Sequence, residues 1–132
     1  IKNNFEYKCS MVSSRVIDKI GIQKATKLAV TRVLKKLSKK PDLVLLDGAL
    51  FAPKNYNQQT IIRGDEKVPL ISAASIVAKV SRDKKMRRLH KFYPQYQFEK
   101  HKGYGTKLHY KMIKKNGISP EHRKSYLKRL VF

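Results

Sequence analysis

Apolar and polar positions alternate at the start of the chain. Phe5, Tyr7, Cys9 and Met11 are separated by Glu6, Lys8 and Ser10. A period of two predicts a half-buried strand over residues 5–11. Ser13 or Ser14 follows and can cap the next element, a short turn through Ile17 and Ile20 that ends at Gly21. Ile22, Ala25, Ala29, Val30, Val33, Leu34 and Leu37 then recur at helical spacing, with Lys24, Lys27, Arg32, Lys35 and Lys36 on the other face. That pattern predicts an amphipathic helix, broken by residues 38–41.

Residues 43–46 form an apolar run without alternation, bounded by Pro41 and Gly48. This predicts a strand buried on both faces, as in a sheet covered by helices, with Asp47 at its C-terminal end. Residues 49–59 read as loop and 60–62 as a short strand. Residues 70–92 read as mainly helical, with Ile76, Val80, Met86, Leu89 and Phe92 as an inward stripe. Tyr93-Pro94 stops that helix, because the residue before proline disfavours helical backbone. Residues 95–105 read as a loop rich in Tyr, Lys, His and Gly. A helix over 106–116 has Thr106 as its cap and Gly117 at its end. A last basic helix is expected over 120–130. No repeat, low-complexity tract or linker interrupts the order, so residues 1–132 are expected to form one domain of α/β class.

Charge narrows the partner class. Thirty-one Lys and Arg face nine Asp and Glu, a formal net charge of +22 on 132 residues. Self-repulsion on that scale is relieved by a polyanion, and nucleic acid is the usual one. The alternative is a well-solvated basic surface. A membrane-surface role fits less well, because the basic residues are spread along the chain rather than gathered on one amphipathic helix. At 41% hydrophobic residues the chain can build a core. Cys9 is the only cysteine, which excludes an intramolecular disulfide and a Cys-cluster zinc site and fits a reducing, cytoplasmic setting. No apolar run approaches the ~20 residues that span a bilayer. Residues 1–10 lack the apolar stretch of a secretory signal. The chain begins without Met, so the expectation is either processing or a piece of a longer chain.

Against this basic background a few carboxylates stand out. The segment RGDEKVPLISAASIVAKVSRD, residues 63–83, carries Asp65 and Asp83, and Asp47 lies eighteen residues before Asp65. Pro69 suits the first turn of the helix that follows. Strand ends in α/β sheets are where ligands bind, so Asp47 either positions a metal ion or caps a turn. Asp65 has the same two readings. Asp83 lies within a helix, where pairing with Arg82, Arg87 or a nearby Lys competes with metal contact. Magnesium takes oxygen ligands and needs one or two carboxylates plus substrate phosphate. Two-metal phosphodiesterases usually need more carboxylates. Asp18, Asp42, Glu66, Asp83 and Glu99 show no evident spacing to the Asp47–Asp65 pair. In the segment 101–106, HKGYGT, two glycines flank Tyr104. Tyr104 either stacks on a sugar or base or packs back on the domain. His90, His101, His109 and His122 show no metal-ligand spacing and read as packing or phosphate-contacting residues. There is no P-loop, no G-x-S-x-G and no H-E-x-x-H.

The ordered set PDLVLLDG, IIRGDEKVPLISAASIVAKVSRD, FYPQYQFEKHKGYGT, His109 and EHRKSY resembles type 2 ribonuclease H, ribonuclease HII, from about residue 12 to 126. The RGDEKVP form looks closer to bacterial members. The resemblance implies a partial RNase H-like fold: strands of a mixed sheet flanked by helices, with a helical C-terminal region. It implies an endonuclease that cleaves the RNA strand of RNA–DNA hybrids and cuts 5′ of ribonucleotides embedded in duplex DNA. The family uses Mg2+ or Mn2+ and four carboxylates. By match to its motifs, Asp47 and Asp65 are the catalytic metal ligands expected here. Tyr104, Lys102, Gly103, Arg63, Lys79 and Arg82 are the expected substrate-binding residues, with Arg63 in place of the common Lys and Tyr104 at the RNA-to-DNA junction.

One departure matters. The family's other two carboxylates are an adjacent Asp-Glu followed by Gly-Arg-Gly on its first strand, and no such run exists in this sequence. The expectation is a chain that starts at the family's third strand, leaving residues 5–11 without their native neighbour and the edge of the 43–46 strand exposed. Such a chain needs the missing N-terminal segment for activity and is monomeric when complete. The competing reading is a non-catalytic basic nucleic-acid-binding module on the same framework.

Overall fold

The computed structural model describes residues 5–128. They fall into two compact units divided between Val77 and Ala78.

The first unit opens with residues 5–11, which form no strand. A period-two pattern makes a strand only where a neighbour completes its hydrogen-bond ladder, and among the described residues none does so. Side chains hold the segment instead. Glu6 accepts from the Ser38 backbone N–H at 3.1 Å and from its hydroxyl at 2.6 Å, and the Lys36 ammonium donates to the Cys9 carbonyl at 3.1 Å. Phe5, Tyr7 and Met11 stay exposed. Helix α1 (Ser14–Ile20) replaces the expected turn, capped by the Ser13 hydroxyl, which accepts from the Val16 N–H. Gly21, at φ 80°, ends α1 and starts α2 (Ile22–Lys35).

Helix α2 follows the predicted amphipathic spacing. Its Leu34 packs with Val44, Leu46 and Ala52, surrounded by Val30, Leu37, Leu50 and Tyr56. Strand β1 (Val44–Asp47) alternates between buried and half-buried positions, so it is not covered on both faces as expected. Among the described residues its only strand partner is β2 (Gln58–Ile61), in parallel, with Asp47 opposite Ile61. The Gln58 side chain closes the intervening loop. Its Oε1 accepts from the Ala52 N–H at 2.8 Å, and its Nε2 donates to the Ala52 carbonyl at 3.2 Å. A short helix, α3 (Gly64–Lys67), leads to the long α4 (Pro69–Phe92).

In the second unit Met86 and Leu89 of α4 pack on Tyr96, Phe98 and Met112. Ile76, Val80 and Phe92 are exposed, against the expected stripe. At about 100° per residue, Met86 lies roughly 120° around the helix from Val80, so the five residues never shared a face. The segment expected as loop after Pro94 contains a 3-10 turn (Pro94–Tyr96) and a four-residue helix, α5 (Phe98–His101). Tyr96 and Phe98 stack at 5.5 Å and are buried, so tertiary packing rather than periodicity orders this region. Helix α6 (Lys107–Asn116) has the predicted ends: the Thr106 hydroxyl accepts from the His109 N–H, and the Gly117 N–H donates to the Ile113 carbonyl. The expected final helix is only a 3-10 turn at Lys124–Tyr126, because Ser119 and His122 tie the preceding backbone into a turn of their own; residues 129 and 130 lie outside the described residues. Among the described residues no helix is long and apolar enough to cross a membrane.

Phe98 is 2% exposed and sits at the centre of its cluster. Phe98→Ala is expected to cost about 3–5 kcal/mol, and Thr106→Ala about 1 kcal/mol through loss of the cap. Urea unfolding of both variants checks the order; a smaller loss for Phe98→Ala would contradict this packing.

Candidate active site

Asp47 is the last residue of β1. The strand pairing closes there, with the Gly48 N–H donating to the Ile61 carbonyl at 3.0 Å. The chain then turns through Arg63, which adopts left-handed backbone at φ 56°. That turn aims the Gly64 N–H at Asp47, whose Oδ1 accepts it at 2.7 Å. This is a short, charge-assisted bond. Gly64 is buried, and a Cβ there would lie 2.7 Å from Ile71 Cδ1 and 3.5 Å from Asp47 Oδ1. Ile71 is itself buried, so a side chain at position 64 requires the tip of Ile71 to repack.

Asp65 follows immediately and is exposed. Among the described residues its carboxylate has no hydrogen bond or ion pair. A single backbone hydrogen bond therefore ties the Asp47 carboxylate to the residue next to Asp65. Two oxygen-only groups suit a hard divalent cation, which keeps several waters and shares ligands with phosphate. Among the described residues no three His, Cys, Asp or Glu side chains gather to hold a metal, so the fit is to part of such a site. Arg63 is clasped by Glu66, its Nε and Nη2 donating to Oε1 at 3.0 and 2.9 Å. An exposed pair of this kind contributes about 0–1 kcal/mol, so a phosphate competes for Arg63 at little cost.

The second unit holds most of the other expected substrate-binding residues. Arg82 lies with its guanidinium 5.0 Å from the Tyr104 ring centre, and its Nη2 donates to the Lys102 carbonyl at 3.3 Å. Having turned to this loop, Arg82 does not pair with Asp83. Among the described residues Asp83 makes no ion pair, and its Oδ1 is shielded from solvent without a hydrogen-bond partner. That corrects the expected pairing. Lys102 and Gly103 both have positive φ, and a Cβ on Gly103 would come within 3.1 Å of Met86. The Lys102 ammonium donates to the Glu99 carbonyl. Half of Tyr104 is exposed. Lys79 is exposed on α4, three residues before Arg82 and so close to it along the helix surface.

A family model, ribonuclease HII, matches residues 2–132. The chain belongs to the ribonuclease HII family. It is 50% identical over 122 residues to a ribonuclease HII of Endomicrobium trichonymphae, covering 92% of this chain and 58% of that protein. It is 46% identical over 131 residues to one from Caldicellulosiruptor bescii, covering 99% of this chain and 64% of that protein. A Prochlorococcus marinus relative is 50% identical over 125 residues, covering 94% of this chain and 61% of its own length. The chain thus spans about three-fifths of the length of these curated relatives. The α/β architecture, with a parallel strand pair and mostly helices, fits a partial RNase H-like fold of this ribonuclease HII family.

The chain also contains a group that sequence spacing concealed. His101, His109 and His122 are buried together. The His101 and His109 rings stack at 4.0 Å, and His109 Nε2 lies 3.1 Å from His122 Nε2. The separations of eight and thirteen residues match no motif; only the fold of the aromatic cluster brings them together. Their hydrogen bonds allow one set of tautomers. The Ser119 N–H donates to His122 Nδ1 at 3.0 Å, which makes the Ser119 hydroxyl, 2.7 Å from the same nitrogen, a second donor to it, so neutral His122 carries its proton on Nε2 and donates to His109 Nε2. His109 then carries its proton on Nδ1 and donates to the Tyr104 carbonyl at 2.9 Å. His101 Nδ1 accepts from the Gly103 N–H at 3.1 Å, leaving its Nε2 to donate to the Tyr96 carbonyl at 2.7 Å.

Protonating any of the three would set N–H against N–H. Burial pushes all three below the usual histidine range, with the neighbouring histidines, Lys102 and Arg123 adding repulsion; His122 falls to about 4. The unfolded chain binds these protons near pH 6.5 and the folded chain does not. Stability is therefore full above pH 6.5 and is lost as pH falls toward 4. For His122 alone the expected loss between pH 7 and pH 5 is about 2 kcal/mol. Urea midpoints across this range, compared with those of His122→Asn, check the sign and size. A midpoint that is flat or rises on acidification would contradict the neutral cluster.

Proposed function

We propose that this chain is the part of a metal-dependent endonuclease that carries two of its catalytic carboxylates, Asp47 and Asp65. Its substrate would be the RNA strand of RNA–DNA hybrids and ribonucleotides embedded in duplex DNA, cut on their 5′ side. The observation that supports this reading is the 2.7 Å bond from the Gly64 N–H to Asp47 Oδ1, which ties the carboxylate at the end of β1 to the residue next to Asp65 in a chain of charge +22. Family membership supplies the reaction class.

Asp47 and Asp65 would hold Mg2+ or Mn2+ through carboxylate oxygens. When bound, such a cation activates a water for in-line attack and stabilises the leaving 3′-oxygen. The chain's own residues bind and orient the substrate. Lys79, Arg82, Lys102 and Arg63 meet phosphates, Gly103 lets the backbone come close, and the exposed Tyr104 face stacks at the RNA-to-DNA junction. Affinity resting on phosphates weakens steeply as salt rises. The remaining two carboxylates are an adjacent Asp-Glu followed by Gly-Arg-Gly, a run this sequence does not contain, its one Asp-Glu pair being Asp65-Glu66, so a segment supplying them is required. The complete enzyme is read as a cytoplasmic monomer.

A second reading is a basic nucleic-acid-binding module without catalysis. It draws on the lack of a third metal-ligating side chain among the described residues. Magnesium-dependent cleavage of a duplex with one embedded ribonucleotide separates the two. The chain alone is expected to cut little or not at all, and cutting is expected to appear when a segment bearing Asp-Glu is fused or added in trans. Asp47→Asn should lower that restored activity on the order of 10²–10³-fold, as for loss of one preorganised electrostatic group. Robust cutting by residues 1–132 alone would show that the metal site is elsewhere. Restored cutting that survives Asp47→Asn would reduce Asp47 to a turn residue, and no restoration would favour the binding module.

A further inference from the structure

We infer that His109 and His122 are positioning residues for Tyr104: a one-way hydrogen-bond chain from Ser119 fixes the tautomer of His109 and so holds the Tyr104 backbone where its ring meets the nucleic acid. The inference rests on the reading of Tyr104 as a junction contact and adds the machinery that presents it.

The segment around Tyr104 has no ladder to hold it. Lys102 and Gly103 have φ of 49° and 78°, and residues 104–106 belong to neither helix nor strand. Its backbone is pinned by histidines instead. Gly103 donates to the His101 ring at 3.1 Å and Tyr104 donates to the His101 carbonyl at 2.8 Å. The Tyr104 carbonyl accepts from both the Thr106 N–H at 2.8 Å and His109 Nδ1 at 2.9 Å. The two rings that make these bonds lie face to face, 13° from parallel.

A neutral imidazole can place its proton on either nitrogen. Only the Nδ1–H form of His109 can donate to Tyr104. That form is selected by His122, whose Nε2–H faces His109 Nε2, and His122 is in turn selected by the Ser119 backbone, which can only donate. A residue fifteen positions away in sequence thus determines how firmly Tyr104 is held. The Arg82 guanidinium lies 5.0 Å from the ring centre, so the displayed side chain is held from both backbone and ring.

The test combines a spectroscopic and a binding measurement on the full chain. Ring nitrogen-15 shifts of wild type at pH 7.5 are expected to show His109 protonated on Nδ1 and His122 on Nε2. His109 protonated on Nε2 overturns the inference, and this needs no substitution, so it decides even if a variant fails to fold. The binding probe is the ratio of affinities for a duplex with one embedded ribonucleotide and the same duplex in all-DNA form. His109→Asn places an amide N–H near the Nδ1 position and should keep the ratio within about twofold of wild type. His109→Gln places its amide near Nε2 instead and should lower the ratio about tenfold, as is also expected of Tyr104→Ala, with all-DNA affinity little changed. If Tyr104→Ala lowers the ratio and His109→Gln does not, this inference falls alone. If Tyr104→Ala leaves the ratio unchanged, the reading of Tyr104 falls and takes the inference with it.

Discussion

The bond from the Gly64 N–H to Asp47 Oδ1 is the constraint on which the carboxylate site depends. It spans two elements that the parallel pairing of β1 and β2 has already brought to the same end of the sheet. Without the register that sets Asp47 opposite Ile61, the turn at Arg63 would not reach the strand end. Without glycine at 64, a Cβ would press on the tip of the Ile71 side chain. The bond also occupies one oxygen of Asp47 and orients the other. A carboxylate held by a backbone donor loses less freedom when it binds a cation than one swinging in solvent.

The second unit solves a different problem by related means. Its loop around Tyr104 has little regular secondary structure, so side chains supply the anchors. Three buried imidazoles serve because each can both accept and donate once its tautomer is fixed. The arrangement depends on burial. In water either tautomer and the cation would be populated, whereas beside Phe98 and Tyr96 the neutral, fully bonded state is the one that fits. The same burial makes this unit sensitive to acid.

Much of this was legible in the sequence where local rules act alone. Helix α6 was bounded by a threonine cap and a terminal glycine, and α2 by its apolar spacing. Strand β1 stood out between Pro41 and Gly48, with Asp47 at its end. What escaped depended on partners distant in sequence. Residues 5–11 carry a strand pattern, but a strand needs a neighbour, and here Glu6 and Ser38 hold the segment instead. The α4 stripe failed because its apolar residues drift around the helix. The histidines gave no signal, since their contacts follow from the stacking of Tyr96 on Phe98 rather than from spacing. The resemblance pointed to Asp47 and Asp65 as metal ligands, but the hydrogen bond from Gly64 to Asp47 joins residues seventeen apart and gave no signal in the sequence.

The central claim is that one cation site lies at the end of β1 between Asp47 and Asp65. Titrating the nitrogen-15-labelled chain with Mn2+ tests it without any catalytic step. Paramagnetic broadening is expected first at the amides of Gly48, Gly64 and Asp65, and Asp47→Asn combined with Asp65→Asn should remove it. Broadening that starts elsewhere, or that survives the double substitution, would contradict the account.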